Sequence, residues 1–248
     1  MSEHRDFTAP AGLRTRGTVL VLPGRGESPG SYARLGARLA ADAYRVRVLP
    51  APVLELSRAA AALTEAVETL TEDPVRPLVL AGADTGAAVL AALVARNDPD
   101  VSWWPEAVVL AGLPGYGSRQ AGGWEEELAA RTHCPVHRGV LTDDPAVAPG
   151  SLADPVPAAL LDAAYGSTAE VPHLVLSGDA DPLAGREELT RLAKSLPSAR
   201  LAIVRGGHHD VLNDLQHRSV AAEIVTFLEA VRLGSPPEPL IRVAAGTW

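Results

Sequence analysis

Short apolar runs and longer amphipathic stretches take turns along this chain. Residues 18–22 (TVLVL) and 45–49 (RVRVL) read as strands, and SYARLGARLAADA between them repeats apolar positions at helical spacing. An alanine-rich helix is expected from about Leu54 to Thr71, a strand at Leu78–Ala81, a helix over Thr85–Arg96 and a strand at Ala107–Ala111. Apolar strands alternating with helices of about 10–15 residues predict a mostly parallel sheet covered on both faces.

The alternation lapses between Leu113 and Val171, where prolines, glycines and charges gather around two short helical pieces, Trp124–Arg131 and Pro157–Ala164. It returns with a strand at His173–Ser177, a helix over Gly185–Leu196, a strand at Arg200–Val204 and a closing helix over Ser219–Val231. The expected organisation is a lead-in (1–17), a first core part (18–112), a small lid (113–171), a second core part (172–232) and a proline-rich tail (233–248).

Composition narrows the function classes. A chain of 248 residues, 47% hydrophobic, suits a folded globular protein of this size. Its formal net charge of -8 and scattered basic residues argue against nucleic-acid binding. No run approaches the roughly 18 apolar residues of a membrane span, so no membrane insertion is expected. One cysteine, Cys134, rules out an internal disulfide and fits a cytoplasmic location. Neither GxGxxG after the first strand nor GxxxxGK[ST] is present, and no cofactor is expected.

Chemistry in an open parallel sheet collects beyond the C-terminal ends of its strands. Three residues fall there: Asp84 in GADTG, Asp181 in SGDADPL and His209 in GGHHDVLND. Gly82, Ala83 and Gly86 are small enough for a sharp strand-to-helix turn that would project Asp84 above a helix N-terminus. Three roles stay open for Asp84: nucleophile, general base, or N-cap of the following helix.

Four stretches resemble the α/β-hydrolase superfamily, nearest to its lysophospholipase and monoacylglycerol-lipase-like branch: LPGRGESPGSYARLGARLA at 22–40, GADTGA at 82–87, GDADPL at 178–183 and GGHHDVLND at 206–214. The resemblance covers roughly residues 18–230 and implies an α/β-hydrolase fold with a short lid insertion. It places Asp84 at the nucleophile position, Asp181 at the triad acid and His209 at the triad histidine. It also implies backbone oxyanion donors at Arg25 and Thr85. Two departures stand out, Pro23 where a histidine is usual and Asp84 where serine is usual. Aspartate at this elbow resembles epoxide hydrolases and dehalogenases, although their tryptophan after the nucleophile is Thr85 here.

A carboxylate needs no base to become a nucleophile. It would form an alkyl ester on attacking an epoxide or another activated carbon, and His209, oriented by Asp181, would activate water to cleave that ester. The expected substrate is a small organic molecule. The alternatives are an esterase or thioesterase-like enzyme in which Asp84 promotes attack by water, and a binding protein that keeps the fold without the chemistry. Tyr116 and Tyr165 are candidate proton donors from the lid, and Trp124 a candidate substrate contact. Arg25 could hold an anionic group of the substrate, pair with Glu27, or face water. His133, Cys134 and His137 suggest zinc by spacing alone, but Pro135 is expected to break the helix between them, and no metal is expected. His208 reads as a flanking residue and Asp179 as a shaper of the Asp181 loop.

Overall fold

Strand order decides which loops meet above the sheet. The computed structural model describes residues 4–117, 122–234, 236–241 and 244. Its seven strands are β1 (Arg5–Phe7), β2 (Gly17–Leu22), β3 (Tyr44–Val48), β4 (Leu78–Ala83), β5 (Ala107–Ala111), β6 (His173–Gly178) and β7 (Ala199–Val204). They form one sheet in the order β1-β3-β2-β4-β5-β6-β7, parallel except for β1, which runs antiparallel to β3. The chain steps from β2 outward to β3 and then crosses back to β4 on the other side. That reversal makes the β2–β4 seam a topological switch point, where the loops leaving two adjacent strands diverge and open a crevice.

The described residues include eight α-helices, most of them packed on the sheet: α1 (Ala33–Ala41), α2 (Leu56–Glu68), α3 (Thr85–Val94), α4 (Trp124–Arg131), α5 (Pro135–Asp143), α6 (Ala158–Tyr165), α7 (Arg186–Ser195) and α8 (His217–Leu233). Alternation along the strands divides the core. Leu20 and Leu22 of β2 pack with α2, α3, α6 and α7, whereas Val19 and Val21 pack with α1 and α8. Every residue of α3 is buried, and its alanines let the helix lie flat on the sheet between α2 and α6.

The lead-in contributes a strand that sequence patterning does not reveal. Asp6 of β1 pairs with the buried Arg47 of β3, Nε to Oδ1 and Nη2 to Oδ2 both at 2.7 Å. Between β5 and β6 the chain forms the inserted cap region. Within it Leu160, Leu161 and Ala164 of α6 join the main core against α3, while Leu128 and Leu141 of α4 and α5 form a separate small cluster with Val147. Residues 118–121 of the expected lid, and 235, 242–243 and 245–248 of the expected tail, lie outside the described residues.

Candidate active site

The turn after β4 is strained in the manner its small neighbours foretell. Asp84 sits at φ 46° and ψ -118°, a left-handed conformation costing on the order of 1–3 kcal/mol for a residue with a side chain. A Cβ on Gly82 would lie 2.6 Å from the backbone N of Ala87, and one on Gly86 2.4 Å from the carbonyl O of Leu22. Both glycines are therefore required by close approach of backbone, and together they press the start of α3 against the end of β2. The Asp84 side chain makes no hydrogen bond to the first turn of α3, so it is not the helix cap that its position allowed.

Instead the carboxylate faces His209. Asp84 Oδ1 lies 3.1 Å from His209 Nε2, and Asp181 lies at 3.1 Å (Oδ1) and 3.0 Å (Oδ2) from His209 Nδ1. Asp181 is steadied in turn by the Leu183 N–H, which donates to Oδ1 at 2.8 Å. All three side chains are buried. The imidazole thus bridges two carboxylates, the order Asp84–His209–Asp181 expected from the sequence.

The oxyanion-side loop completes the Asp84 environment. The Arg25 backbone N–H donates to Oδ2 at 2.8 Å, and its side chain adds Nε to Oδ2 at 2.8 Å and Nη2 to Oδ1 at 2.9 Å. Arg25 therefore pairs with Asp84, not with Glu27 and not with water. Glu27 is engaged elsewhere, accepting from Gly24 N–H at 2.8 Å and from the Tyr32 hydroxyl. Thr85 opens α3, whose first N–H groups have no partner within the helix.

Two opposed effects set the charges. Burial alone would raise the Asp84 pKa, but hydrogen bonds and charges from His209 and Arg25 prevail and hold the carboxyl far below its usual range. Burial would likewise lower His209, yet the Asp181 charge and hydrogen bonds to both carboxylates push it up to about 10. Both shifts favour an imidazolium at His209 facing an ionised Asp84.

Comparison with known proteins bears on the architecture. No curated protein matches the chain. The family model described as TAP-like protein (Abhydrolase_4) matches residues 153–237, about a third of the chain. The monoacylglycerol lipase of Paleococcus ferrophilus superposes with a TM-score of 0.72 at 20% identity, covering 92% of this chain and 98% of the lipase. A soluble variant of the Saccharomyces cerevisiae monoglyceride lipase gives 0.72 at 14% identity over 92% and 91%. MenH from S. aureus gives 0.60 at 13% over 94% and 100%. The chain has the α/β-hydrolase fold.

Around this hydrolase-fold site, other sequence candidates lie apart. The Tyr116 hydroxyl donates to Asp162 Oδ1 at 2.8 Å, and the Tyr165 hydroxyl to the Pro114 carbonyl at 2.9 Å. The rings stack on each other with centroids 5.8 Å apart, and neither proton is directed at Asp84. Trp124 packs against the Leu128, Leu141 and Val147 cluster and does not line the cleft outside Arg25. His208 is held by Asp214, Nδ1 to Oδ2 at 2.9 Å, and stacks on His133. Asp179 accepts from the Gly206 N–H at 2.6 Å, tying the Asp181 loop to the His209 loop.

The histidine–cysteine segment is rearranged relative to its spacing. Pro135 starts α5 in place of breaking a helix, because proline is tolerated in a first turn that lacks N–H partners. His133, Cys134 and His137 then diverge. His137 turns inward to Asp210, Nε2 to Oδ2 at 3.1 Å, and forms with Glu27 a group whose donor atoms lie within 4.8 Å of one another. A cation would be badly placed there, since Arg131 Nη1 lies 3.5 Å from Asp210 Oδ1 without a hydrogen-bond partner of its own. Glu27 Oε1 is likewise unpartnered. A guanidinium N–H and a carboxylate oxygen, both in need of a partner, suit a bridging water better than a metal.

Arg131 is the residue beside the site that sequence reasoning missed. Fully buried at the end of α4, it reaches Glu127 Oε1 at 2.9 Å, the Arg25 carbonyl at 2.6 Å and Ser151 Oγ at 3.3 Å. Backbone bonds reinforce it: His209 N–H donates to the Ala130 carbonyl and Asp210 N–H to that of Arg131. One side chain thereby connects the cap, the oxyanion-side loop and the histidine loop. Its only signal in sequence is an (i, i+4) Glu127–Arg131 spacing, which ordinarily marks a solvated helix face.

Proposed function

We infer that the chain is a hydrolase of small organic molecules in which Asp84 attacks carbon and the Asp181–His209 pair cleaves the resulting ester, the substrate carrying an epoxide or a related activated C–O bond. The observation that carries this reading is the division of labour between the two Asp84 oxygens. Oδ2 meets the Arg25 backbone N–H, where a carbonyl oxygen would gain negative charge, while Oδ1 lies beside His209.

In the first step Oδ1 bonds to a ring carbon as that carbon's C–O bond breaks. Alkylation removes the Asp84 charge that helps hold His209 protonated, so the imidazolium yields its proton to the released alkoxide. The neutral imidazole is then the base for the second step. It takes a proton from water as the water adds to Cγ, with Oδ2 stabilised at the Arg25 N–H. Collapse releases the alcohol and returns Asp84 to carboxylate and His209 to imidazolium, so the sum is epoxide plus water giving a diol. Tyr116 and Tyr165, which donate elsewhere, are not needed for this balance.

A second reading, ester hydrolysis with Asp84 promoting attack by water, draws on the fold neighbours named as lipases. The depressed Asp84 pKa weighs against it, because so weak a base gains little from proton transfer. The deciding experiment incubates His209→Ala with a panel of neutral and acidic epoxides, activated halides and activated esters, followed by intact-mass analysis and peptide mapping. A persistent ester on Asp84 is expected. An adduct at Cys134 with Asp84 free, or ester turnover that passes through no Asp84 adduct, would sink the nucleophilic reading.

A further inference from the structure

Asp84 is saturated as it stands. Its two oxygens receive four donors: Arg25 N and Nε on Oδ2, Arg25 Nη2 and His209 Nε2 on Oδ1. A carboxylate offers about four lone-pair sites, so none is left to attack carbon. Arg25 also closes the way in. Its side chain is 10% exposed and that of Asp84 3%, and Nη1 is latched onto the carbonyls of Leu152 (3.1 Å) and Asp154 (2.5 Å). The cleft outside it, lined by Arg25, Pro114, Tyr116, Leu152, Val156 and Leu183 among others, holds about 70 Å³. Small-molecule sites usually offer on the order of 300 Å³ or more. A larger cavity of about 390 Å³, between β3 and α2, includes none of Asp84, Asp181 and His209.

The fork must therefore leave Oδ1 before reaction, and parting a guanidinium from a buried carboxylate is costly unless another anion receives it. Asp154 is the one acid among the described residues lining the cleft, and it is exposed, so its carboxylate is already well hydrated and attracts the fork weakly. We propose that the substrate itself supplies the anion: it is a small carboxylate, the acid group next to the electrophilic carbon, and it replaces Asp84 in the Arg25 fork. Substrate binding and release of the nucleophile are then one event. A planar bidentate carboxylate matches the geometry that Arg25 already shows with Asp84. The small cleft limits the remainder to a few carbons. This assignment rests on the reading of Asp84 as nucleophile for its purpose, but the binding site it describes is testable without any chemistry.

Two pairs of probes separate the questions. Cyclopropanecarboxylate and cyclopropanecarboxamide are inert and nearly equal in shape, and their binding is measured by calorimetry on wild type, Arg25→Gln and Arg25→Lys. Wild type is expected to prefer the acid by at least about tenfold, the value of a charge-assisted bidentate pair. The preference is expected to vanish in Arg25→Gln and to be reduced in Arg25→Lys, which keeps the charge without the fork and guards against a Gln variant that does not fold. Equal binding of acid and amide by wild type, or acid preference that survives Arg25→Gln, overturns the proposal. Oxirane-2-carboxylate and its amide are then given to His209→Ala, and the mass of the Asp84 peptide is followed. Faster ester formation with the acid supports the exchange, and equal rates with both overturn it. Arg25-dependent acid binding with no ester on Asp84 supports the anion site and removes the nucleophilic reading alone.

Discussion

At the scale of single residues, the site is an arrangement of charges that depend on one another. His209 is held as imidazolium by both carboxylates, so removing one should be felt at the ring. Asp84→Asn is expected to bring the His209 pKa down from about 10 towards its ordinary 6.5, followed by NMR of the ring protons. The same variant should form no covalent adduct with any probe that labels His209→Ala. A His209 titration unchanged in Asp84→Asn would mean that Asp181 alone sets the charge, and the switch from acid to base on alkylation would be lost. The three residues that meet at this imidazole were legible in sequence because each follows a strand and lies among small or turn-forming neighbours. The Arg25–Asp84 pair was not, since 59 positions separate its members and no local pattern encodes their meeting.

Elements meet in ways that local pattern reports unevenly. Strands and helices of the core follow hydrophobic periodicity and were readable to within a few residues, including α4 over Trp124–Arg131. β1 was not, because two opposite charges and one aromatic carry no strand signal until Arg47 supplies a partner. α5 was missed because Pro135 reads as a breaker unless the helix is known to start there. Arg131 shows what such omissions conceal, since it anchors α4 to both loops of the site. Replacing it by methionine leaves Glu127 and Asp210 buried without their cation. The expected loss is about 3–5 kcal/mol in denaturant unfolding. A loss below about 1 kcal/mol would mean that the backbone bonds from His209 and Asp210 to the Ala130 and Arg131 carbonyls hold the cap unaided.

For the whole molecule, these buried charges make stability a function of pH. His209 is raised in the folded state, so its contribution is complete below 6.5 and fades as the pH climbs through about 10. Asp84 is depressed, so its contribution is present above 3.8 and fades as the pH falls well below it. Stability is expected to form a plateau between these limits, measured as the unfolding midpoint in denaturant across pH. In Asp84→Asn the alkaline loss should still begin near 6.5, the unfolded value, but be smaller and end at lower pH. An alkaline limb identical in the two proteins would detach His209 from the global balance. Among the described residues no helix is long and apolar enough to cross a membrane.

The burial of α3 has a consequence for how the site comes into being. A ten-residue helix with no exposed side chain has no amphipathic face to favour it in water, and one this short is unstable alone. It forms only where the sheet and α2 and α6 already enclose it, and the strained turn at Asp84 can be imposed only by that enclosure. The geometry of the elbow therefore depends on the same packing that holds the helix. A core substitution along α3 is therefore expected to disturb Asp84 at a distance, so that the setting of one carboxylate registers how tightly the sheet and its helices are closed.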